Sequence, residues 1–276
     1  MLKISCVQLT SGPDLLDNTV KLERLVAKAA GEGATLVTTP ENTFLIEEPG
    51  KKSGIYPQNE HPGVKAAAGI AEKYKIWLLI GSIAVAAKEE GKTYNRSLLF
   101  DPEGKIAAQY DKIHLFDVDV GDGQVYRESA KIMPGNEAVV ATLPFATLGM
   151  TICYDLRFPQ LYRALAKEGA NIIAVPAAFT QVTGEAHWHV LLRARSIETG
   201  SFIIAPAQVG THAGGRQTYG HSLVIDPWGR IMADGGTEEG IVTAELDLRE
   251  VDKIRAKLPN LKHDRGFKIS CQPQGS

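Results

Sequence analysis

Three residues that could cooperate in hydrolysis each follow an apolar, strand-like segment. Glu41 follows ATLVTTP, Lys112 ends AAQYDK, and Cys153 ends LGMTIC. The thiolate form of a cysteine is the nucleophile, so the thiol needs a base. A partly buried glutamate could take that proton, and a lysine could stabilise the oxyanion that forms at an attacked carbonyl. The pattern predicts a cysteine hydrolase site, with the Tyr154 N–H as a second oxyanion donor, provided that the three strand ends meet.

Simpler explanations exist for each of these residue types. A lone buried cysteine usually packs as a small hydrophobic side chain, and a lone glutamate or lysine at a strand end is usually solvated. Another hydrolase design would use His114 or His221 as the base instead of Glu41. The HWH segment at 187–189 suggests a metal site, but residues two apart on a helix point to different faces. We therefore predict no metal.

Composition narrows the class of protein. The chain has 276 residues, 44% hydrophobic residues and a net charge of -2, with no basic cluster. This balance argues against nucleic acid or an anionic membrane as a partner. No apolar run reaches the roughly 18–20 residues that span a bilayer, and MLKISCVQLT lacks a signal-peptide pattern. We expect a soluble cytoplasmic protein whose widely spaced Cys6, Cys153 and Cys271 are reduced thiols.

Strand-like and helix-like segments alternate along the chain. LKISCVQL predicts a first strand, and Asp14 is placed to cap a helix that ends near Gly31. The alternation predicts a layered α/β fold in one domain, and hairpin signals at 94–112 predict mixed sheets. Further helices are predicted over 63–75, 159–169, 184–199 and 248–257.

Three longer blocks carry the same residues in order: PENTF, YDKIHLFD and GMTICYDLRFPQLYRALAKEGA. They resemble the signature blocks of the nitrilase superfamily, the carbon–nitrogen hydrolases. The resemblance continues through YGHSLVIDPWG and covers residues 3 to about 265. It implies a four-layer α-β-β-α sandwich with two mixed sheets, in one domain over 1–265. Residues 266–276 are expected to form a disordered tail.

The resemblance also implies roles for individual residues. Glu41 would be the general base, Lys112 the oxyanion stabiliser and Cys153 the nucleophile, with no cofactor. Glu128, in VYRES, matches a second glutamate near the substrate and the catalytic lysine, although its own surroundings predict an exposed loop. Residues placed to line the acyl pocket are Phe179 and Thr180.

An assembly and a subfamily are implied in the same way. Members of the family form homodimers or larger homo-oligomers through the helices near 158–169 and 187–199. Charges expected to serve that interface or the scaffold are Arg157, Arg193, Arg195 and Glu198. Tyr154 follows the cysteine where true nitrilases usually have tryptophan, so CYDLRFP resembles the amidase branch.

The predicted reaction is hydrolysis of a small carboxylate-bearing amide through a thioester acyl-enzyme. Members of the amidase branch act on deaminated glutathione or on omega-amides. YGHSLVIDPWG lacks a short insertion that we associate with the omega-amide enzymes, which favours deaminated glutathione. The alternatives are an omega-amidase acting on 2-oxoglutaramate or 2-oxosuccinamate, and a catalytically silent binding protein on the same scaffold. Intact Glu41, Lys112 and Cys153 argue against the silent protein.

Overall fold

The computed structural model describes residues 1–48, 50, 54–119 and 125–270. The helices of this part of the chain are α1 Leu15–Gly31, α2 Pro62–Tyr74, α3 Pro159–Lys167, α4 Gln181–Thr183, α5 His189–Thr199 and α6 Arg249–Lys257. The strands are β1 Leu2–Gln8, β2 Leu36–Thr38, β3 Trp77–Ala86, β4 Thr93–Phe100, β5 Ile106–Asp111, β6 Asp117–Asp119, β7 Val125–Arg127, β8 Val139–Thr142, β9 Thr147–Met150, β10 Ile172–Ala174, β11 Phe202–Ala205, β12 Val209–Thr211, β13 Gln217–Tyr219, β14 Leu223–Ile225, β15 Ile231–Asp234 and β16 Gly240–Leu246.

Two six-stranded sheets contain most of these strands. The first has the order β16-β1-β2-β3-β4-β5, and the second has the order β15-β14-β11-β10-β9-β8. In each sheet three neighbouring strands are parallel, namely β1 to β3 and β9 to β11, and the outer pairs are antiparallel. The prediction of mixed sheets is confirmed.

Side chains that alternate between the two faces of each strand hold the four layers together. In β1, Ile4 and Cys6 face the second sheet, whereas Val7 faces the helices on the outside. Successive side chains of a strand point to opposite faces, so each central strand serves two cores. Helices α1 and α2 cover the first sheet, and α3 and α5 cover the second. The resulting α-β-β-α sandwich is the architecture that the resemblance implied.

Helix α1 begins and ends where the sequence predicted. Asp14 accepts a hydrogen bond from the Asp17 N–H at 2.9 Å, which satisfies one donor of the first turn. Leu22, Val26 and Ala29 are buried along one face. This helix packs its apolar face against the first sheet.

The predicted helix over 184–199 is confirmed, but its first turn is π-helical. A π-helical turn over Gly184–Trp188 connects α4 to α5. A Cβ at Gly184 would lie 2.3 Å from the Tyr219 Cβ, so only glycine permits this close approach. The widened turn places Trp188 in the core, where its Nε1 donates to the His221 carbonyl at 2.8 Å.

The described end of the chain is exposed. Residues 266–270 have no regular secondary structure, and 271–276, which include Cys271, lie outside the described residues. In the described part of the chain, each helix is too short or too polar to cross a bilayer.

Candidate active site

The three strand ends identified from the sequence meet at one cavity. Glu41, Lys112 and Cys153 all line this cavity, whose volume is about 330 Å³. The other predicted site residues line it too: Glu128, Tyr154, Phe179 and Thr180.

Glu41 follows β2 and is buried, with its side chain 5% exposed. Its Oε1 accepts hydrogen bonds from Lys112 Nζ at 2.8 Å and from Asn95 Nδ2 at 2.9 Å. Its Oε2 accepts from the Ala178 N–H at 3.0 Å. Gly81 allows β3 to lie close to the backbone just before Glu41, because a Cβ at Gly81 would lie 2.0 Å from the Thr39 carbonyl oxygen. The carboxylate is therefore fixed by three donors.

Lys112 follows β5 and bridges two carboxylates. Besides Glu41, its Nζ donates to both Glu128 oxygens, at 3.0 and 2.9 Å. Glu128 also accepts from the Phe116 N–H at 2.6 Å, and its side chain is only 14% exposed. The neighbours Arg127 and Ser129 are exposed, as the sequence predicted, whereas this bond and the lysine draw the Glu128 carboxylate into the cavity.

Cys153 lies on a sharp turn after β9. Its φ is +45°, a left-handed conformation that is unusual for a residue with a side chain. Its N–H donates to the Pro176 carbonyl at 2.9 Å, and a 3₁₀ helix begins at this residue. Cys153 lines the same cavity as Glu41, and its buried thiol is close enough for the charge of Glu41 to raise its pKa. The turn thus places Cys153 at the wall of the cavity that Glu41 also lines.

Buried Asp155 ties this turn to the segment that carries Lys112. One carboxylate oxygen accepts from the Tyr110 hydroxyl at 2.7 Å and from the Ile152 N–H at 2.8 Å. The other accepts from the His114 N–H at 3.1 Å. Tyr110 and His114 flank the lysine, so the Asp155 side chain connects the turn at Cys153 to the segment that holds the Lys112 ammonium.

Burial and ion pairing determine the charges of Glu41, Lys112 and Cys153. Burial alone raises the pKa of Glu41, but the charge and hydrogen bond of Lys112 hold that pKa below its ordinary value. Burial, followed by the charge of Glu41, raises the pKa of the Cys153 thiol well above its ordinary value. Burial lowers the pKa of Lys112, yet the charges of Glu41 and Glu128 raise it overall. At rest the site holds a carboxylate, an ammonium and a protonated thiol.

The turn at Cys153 leaves the Tyr154 N–H outside the hydrogen bonds of the 3₁₀ helix. The first bond of the 3₁₀ helix runs from the Asp155 N–H to the Ile152 carbonyl, so the Tyr154 N–H precedes the helical ladder. Phe179 contributes an aromatic wall that packs against Trp188, with 5.0 Å between the ring centroids. The Thr180 hydroxyl pairs with Thr183 at 2.8 Å and caps α4. We therefore assign Thr180 to the shape of the wall.

Sequence reasoning missed Asn95 in β4 and the backbone N–H of Ala178. The Asn95 amide bonds both Glu41 and Glu128, at 2.9 and 3.1 Å, and thereby spaces the two carboxylates. The signal was an amide in a buried strand, since strand interiors rarely contain asparagine. The sequence does not indicate a role for Ala178, because its contribution is a backbone N–H.

Comparison with known proteins agrees with this geometry. The sequence profile of the carbon-nitrogen hydrolase family matches residues 3–256. The chain belongs to the carbon-nitrogen hydrolase family. Deaminated glutathione amidase from Synechocystis is 42% identical to this hydrolase over 266 residues, 94% of this chain and 96% of the relative. The protein of that name from Yersinia enterocolitica is 41% identical over 275 residues, 98% and 95% of the two chains.

A solved structure extends the comparison. Nit3 from Saccharomyces cerevisiae, a member of branch 10 of the nitrilase superfamily, superposes on the hydrolase with a TM-score of 0.83. The two sequences are 31% identical, and the alignment covers 94% of each chain. The resemblance inferred from the three blocks is confirmed at the level of family and fold.

The histidines of the hydrolase lie away from the cavity. His114 bonds Asp155 and stacks on Phe158 with centroids 3.5 Å apart, and neither His114 nor His221 lines the cavity. His187 contacts Arg157 at 3.3 Å. His189, His221 and Asp234 bring ligand-type atoms within 4.8 Å of one another, but these atoms are hydrogen-bonded among themselves.

The arginines near α5 serve the scaffold of the hydrolase. Buried Arg195 donates to the Leu156 carbonyl at 3.0 and 2.8 Å, in the 3₁₀ helix that begins at Cys153. Arg193 donates to the Gly229 carbonyl at 2.8 Å. Arg157 lies over the Phe179 ring, 5.4 Å from its centroid. The homo-oligomer that these charges were expected to serve stays a prediction.

Replacing Lys112 with methionine is expected to destabilise the hydrolase. The substitution removes the charge that neutralises buried Glu41, and breaking a buried pair in this way costs about 3–5 kcal/mol. Chemical denaturation at pH 7 measures the loss, with Lys65→Met on the exposed face of α2 as the matched control. Without the lysine, burial raises the pKa of Glu41, so folding takes up a proton and the deficit shrinks at lower pH. A free energy of unfolding within about 1 kcal/mol of wild type would contradict the buried pair.

Proposed function

We propose that this hydrolase cleaves deaminated glutathione to 2-oxoglutarate and the dipeptide Cys-Gly. The observation that carries this proposal is that Glu41 accepts a hydrogen bond from Lys112 and lines the same cavity as Cys153. A base, an oxyanion stabiliser and a nucleophile that line one cavity support acyl transfer. The substrate is suggested by the relatives from Synechocystis and Yersinia enterocolitica, which match over nearly their whole length.

Acylation begins with a proton transfer. Glu41 takes the proton of the Cys153 thiol, and the thiolate attacks the scissile amide carbon. The carbonyl oxygen becomes an oxyanion held by the Lys112 ammonium and the Tyr154 N–H. As the C–N bond breaks, Glu41 returns the proton to the leaving nitrogen. Cys-Gly departs with an amino group, and the acyl group remains on Cys153 as a thioester.

Deacylation repeats these roles with water. Glu41 removes a proton from a water molecule that attacks the thioester carbon, and the same two donors hold the second oxyanion. Collapse of this intermediate releases 2-oxoglutarate, and the proton on Glu41 returns to the sulfur. Each cycle restores the starting charges, and no cofactor enters. Glu128 keeps Lys112 in place throughout through its two hydrogen bonds.

Side-by-side hydrolysis of deaminated glutathione and 2-oxoglutaramate tests the proposal. Released Cys-Gly is measured for the first substrate and ammonia for the second, with a Cys153→Ala preparation as the background. We expect kcat/KM to favour deaminated glutathione by at least about tenfold, which corresponds to 1.4 kcal/mol of transition-state binding.

The other outcomes separate the alternatives. A preference for 2-oxoglutaramate would make the protein an omega-amidase with the same catalytic cycle. If the protein hydrolyses neither compound and no simple amide, the result would identify a binding protein on this scaffold.

A further inference from the structure

The proposed substrate is an anion, yet the catalytic cluster is already rich in carboxylate. Lys112 is the single ammonium between Glu41 and Glu128, and its Nζ contacts both. A substrate carboxylate brought beside this cluster is repelled unless another cation faces it. Among the described residues, three further cations line the cavity: Arg127, Lys131 and Arg216.

Arg216 differs from the other two. Arg127 and Lys131 are exposed, and Arg127 donates to the carbonyl of its neighbour Tyr126 at 2.8 Å. Arg216 is half-buried and donates through Nη2 to the Ala178 carbonyl at 2.8 Å. Its Nε is buried and has no hydrogen-bond partner in the described part of the chain. Buried polar groups are nearly always paired, so an unpaired guanidinium N–H on a residue of the cavity wall is open to an acceptor from water or from a bound ligand.

The backbone around Arg216 is firmly held. The residue lies in the turn between β12 and β13, and its carbonyl accepts from the His212 N–H at 2.8 Å. The buried His212 ring bonds the Ser11 carbonyl at 2.9 Å and the Thr218 hydroxyl at 2.7 Å. These contacts anchor the turn to the core, so the guanidinium has a defined position.

Ala178 connects Arg216 to Glu41. Its N–H binds the Glu41 carboxylate and its carbonyl binds Arg216, so one residue separates the base from the guanidinium. In both deaminated glutathione and 2-oxoglutaramate, the acyl moiety has a 2-oxo acid at the end remote from the scissile bond. The carboxylate of the dipeptide leaving group is separated from that bond by a longer chain.

We propose that Arg216 binds the carboxylate of the acyl moiety of the substrate, with its unpaired Nε–H as one donor. The guanidinium suits this role because its planar set of donors matches a carboxylate and stays charged when partly buried. The inference rests on the proposed function, since it takes a 2-oxo acid as the acyl group. It makes Arg216 the residue that selects anionic acyl groups over neutral ones.

The experiment compares Arg216→Gln and Arg216→Lys with wild type on three substrates. Deaminated glutathione carries both carboxylates, 2-oxoglutaramate carries only the acyl one, and butyryl-Cys-Gly carries only that of the leaving group. We expect Arg216→Gln to lower kcat/KM on the order of 10- to 100-fold for the two 2-oxo substrates, chiefly through KM. Butyryl-Cys-Gly should change at most a few-fold, and Arg216→Lys should recover part of the loss.

A binding measurement with the product avoids dependence on turnover. Calorimetric titration with 2-oxoglutarate should show weaker binding by a similar factor in Arg216→Gln, and a much smaller change in Arg127→Gln at the cavity mouth. A loss confined to deaminated glutathione and butyryl-Cys-Gly would assign Arg216 to the leaving group and overturn the proposal. An equal loss on all three substrates would show a structural role and would overturn it too. Failure of wild type on every substrate would instead contradict the proposed function, while the titration would still test Arg216.

Discussion

Cys153→Ala is expected to abolish amidase turnover while the protein stays folded. Without the sulfur no thioester can form, and removal of a covalent nucleophile lowers kcat on the order of 10⁶-fold. Alanine is small enough for the turn, and its cost in the free energy of unfolding should be about 1 kcal/mol. Released Cys-Gly and a thermal melt report the two effects separately.

Cys6→Ala is the matched control for this variant. Cys6 is also buried, but it lies in β1 beside Thr38, and burial raises its pKa to about 12. Its removal costs packing and leaves the active site intact, so activity should stay close to wild type. Peptide mapping after treatment with iodoacetamide should find Cys153 modified well before Cys6. Full activity in Cys153→Ala would overturn the thioester mechanism.

Glu41→Gln is expected to lower kcat/KM by about 10³-fold, within the range for loss of a general base. The thiol then loses its proton acceptor. The amide is also a poor substitute, because Lys112, Asn95 and the Ala178 N–H all donate toward this carboxylate. The NH₂ group of glutamine must face one of these donors. Rates of Cys-Gly formation at saturating and at limiting substrate measure the changes in kcat and in kcat/KM.

The pH profile identifies the base independently. Glu41 acts as a carboxylate, so activity falls as pH drops through its pKa, which Lys112 holds below the ordinary value of 4.5. The acid limb of kcat/KM should therefore lie below pH 4.5 in wild type and be absent in Glu41→Gln. A limb near the ordinary histidine pKa of about 6.5 that persisted in Glu41→Gln would favour a histidine base instead.

Much of the fold could be predicted because its causes are local. The Asp14 cap, the apolar face of α1 and the alternation in β1 are properties of neighbouring residues. The π turn before α5 could not be predicted in this way. It depends on the close approach of Gly184 to Tyr219, which is distant in the chain.

The sequence by itself determined the family, the layered architecture and the three residues proposed for catalysis, because the blocks around Glu41, Lys112 and Cys153 are continuous stretches of chain. Only the tertiary structure decided how those residues meet. Glu41 contacts an ammonium 71 positions away and a backbone N–H 137 positions away. The burial of Glu128 and the unpaired Nε of Arg216 depend on the same long-range packing. Charge, burial and hydrogen-bond supply are properties of the assembled cavity, whereas residue type and spacing are properties of the chain.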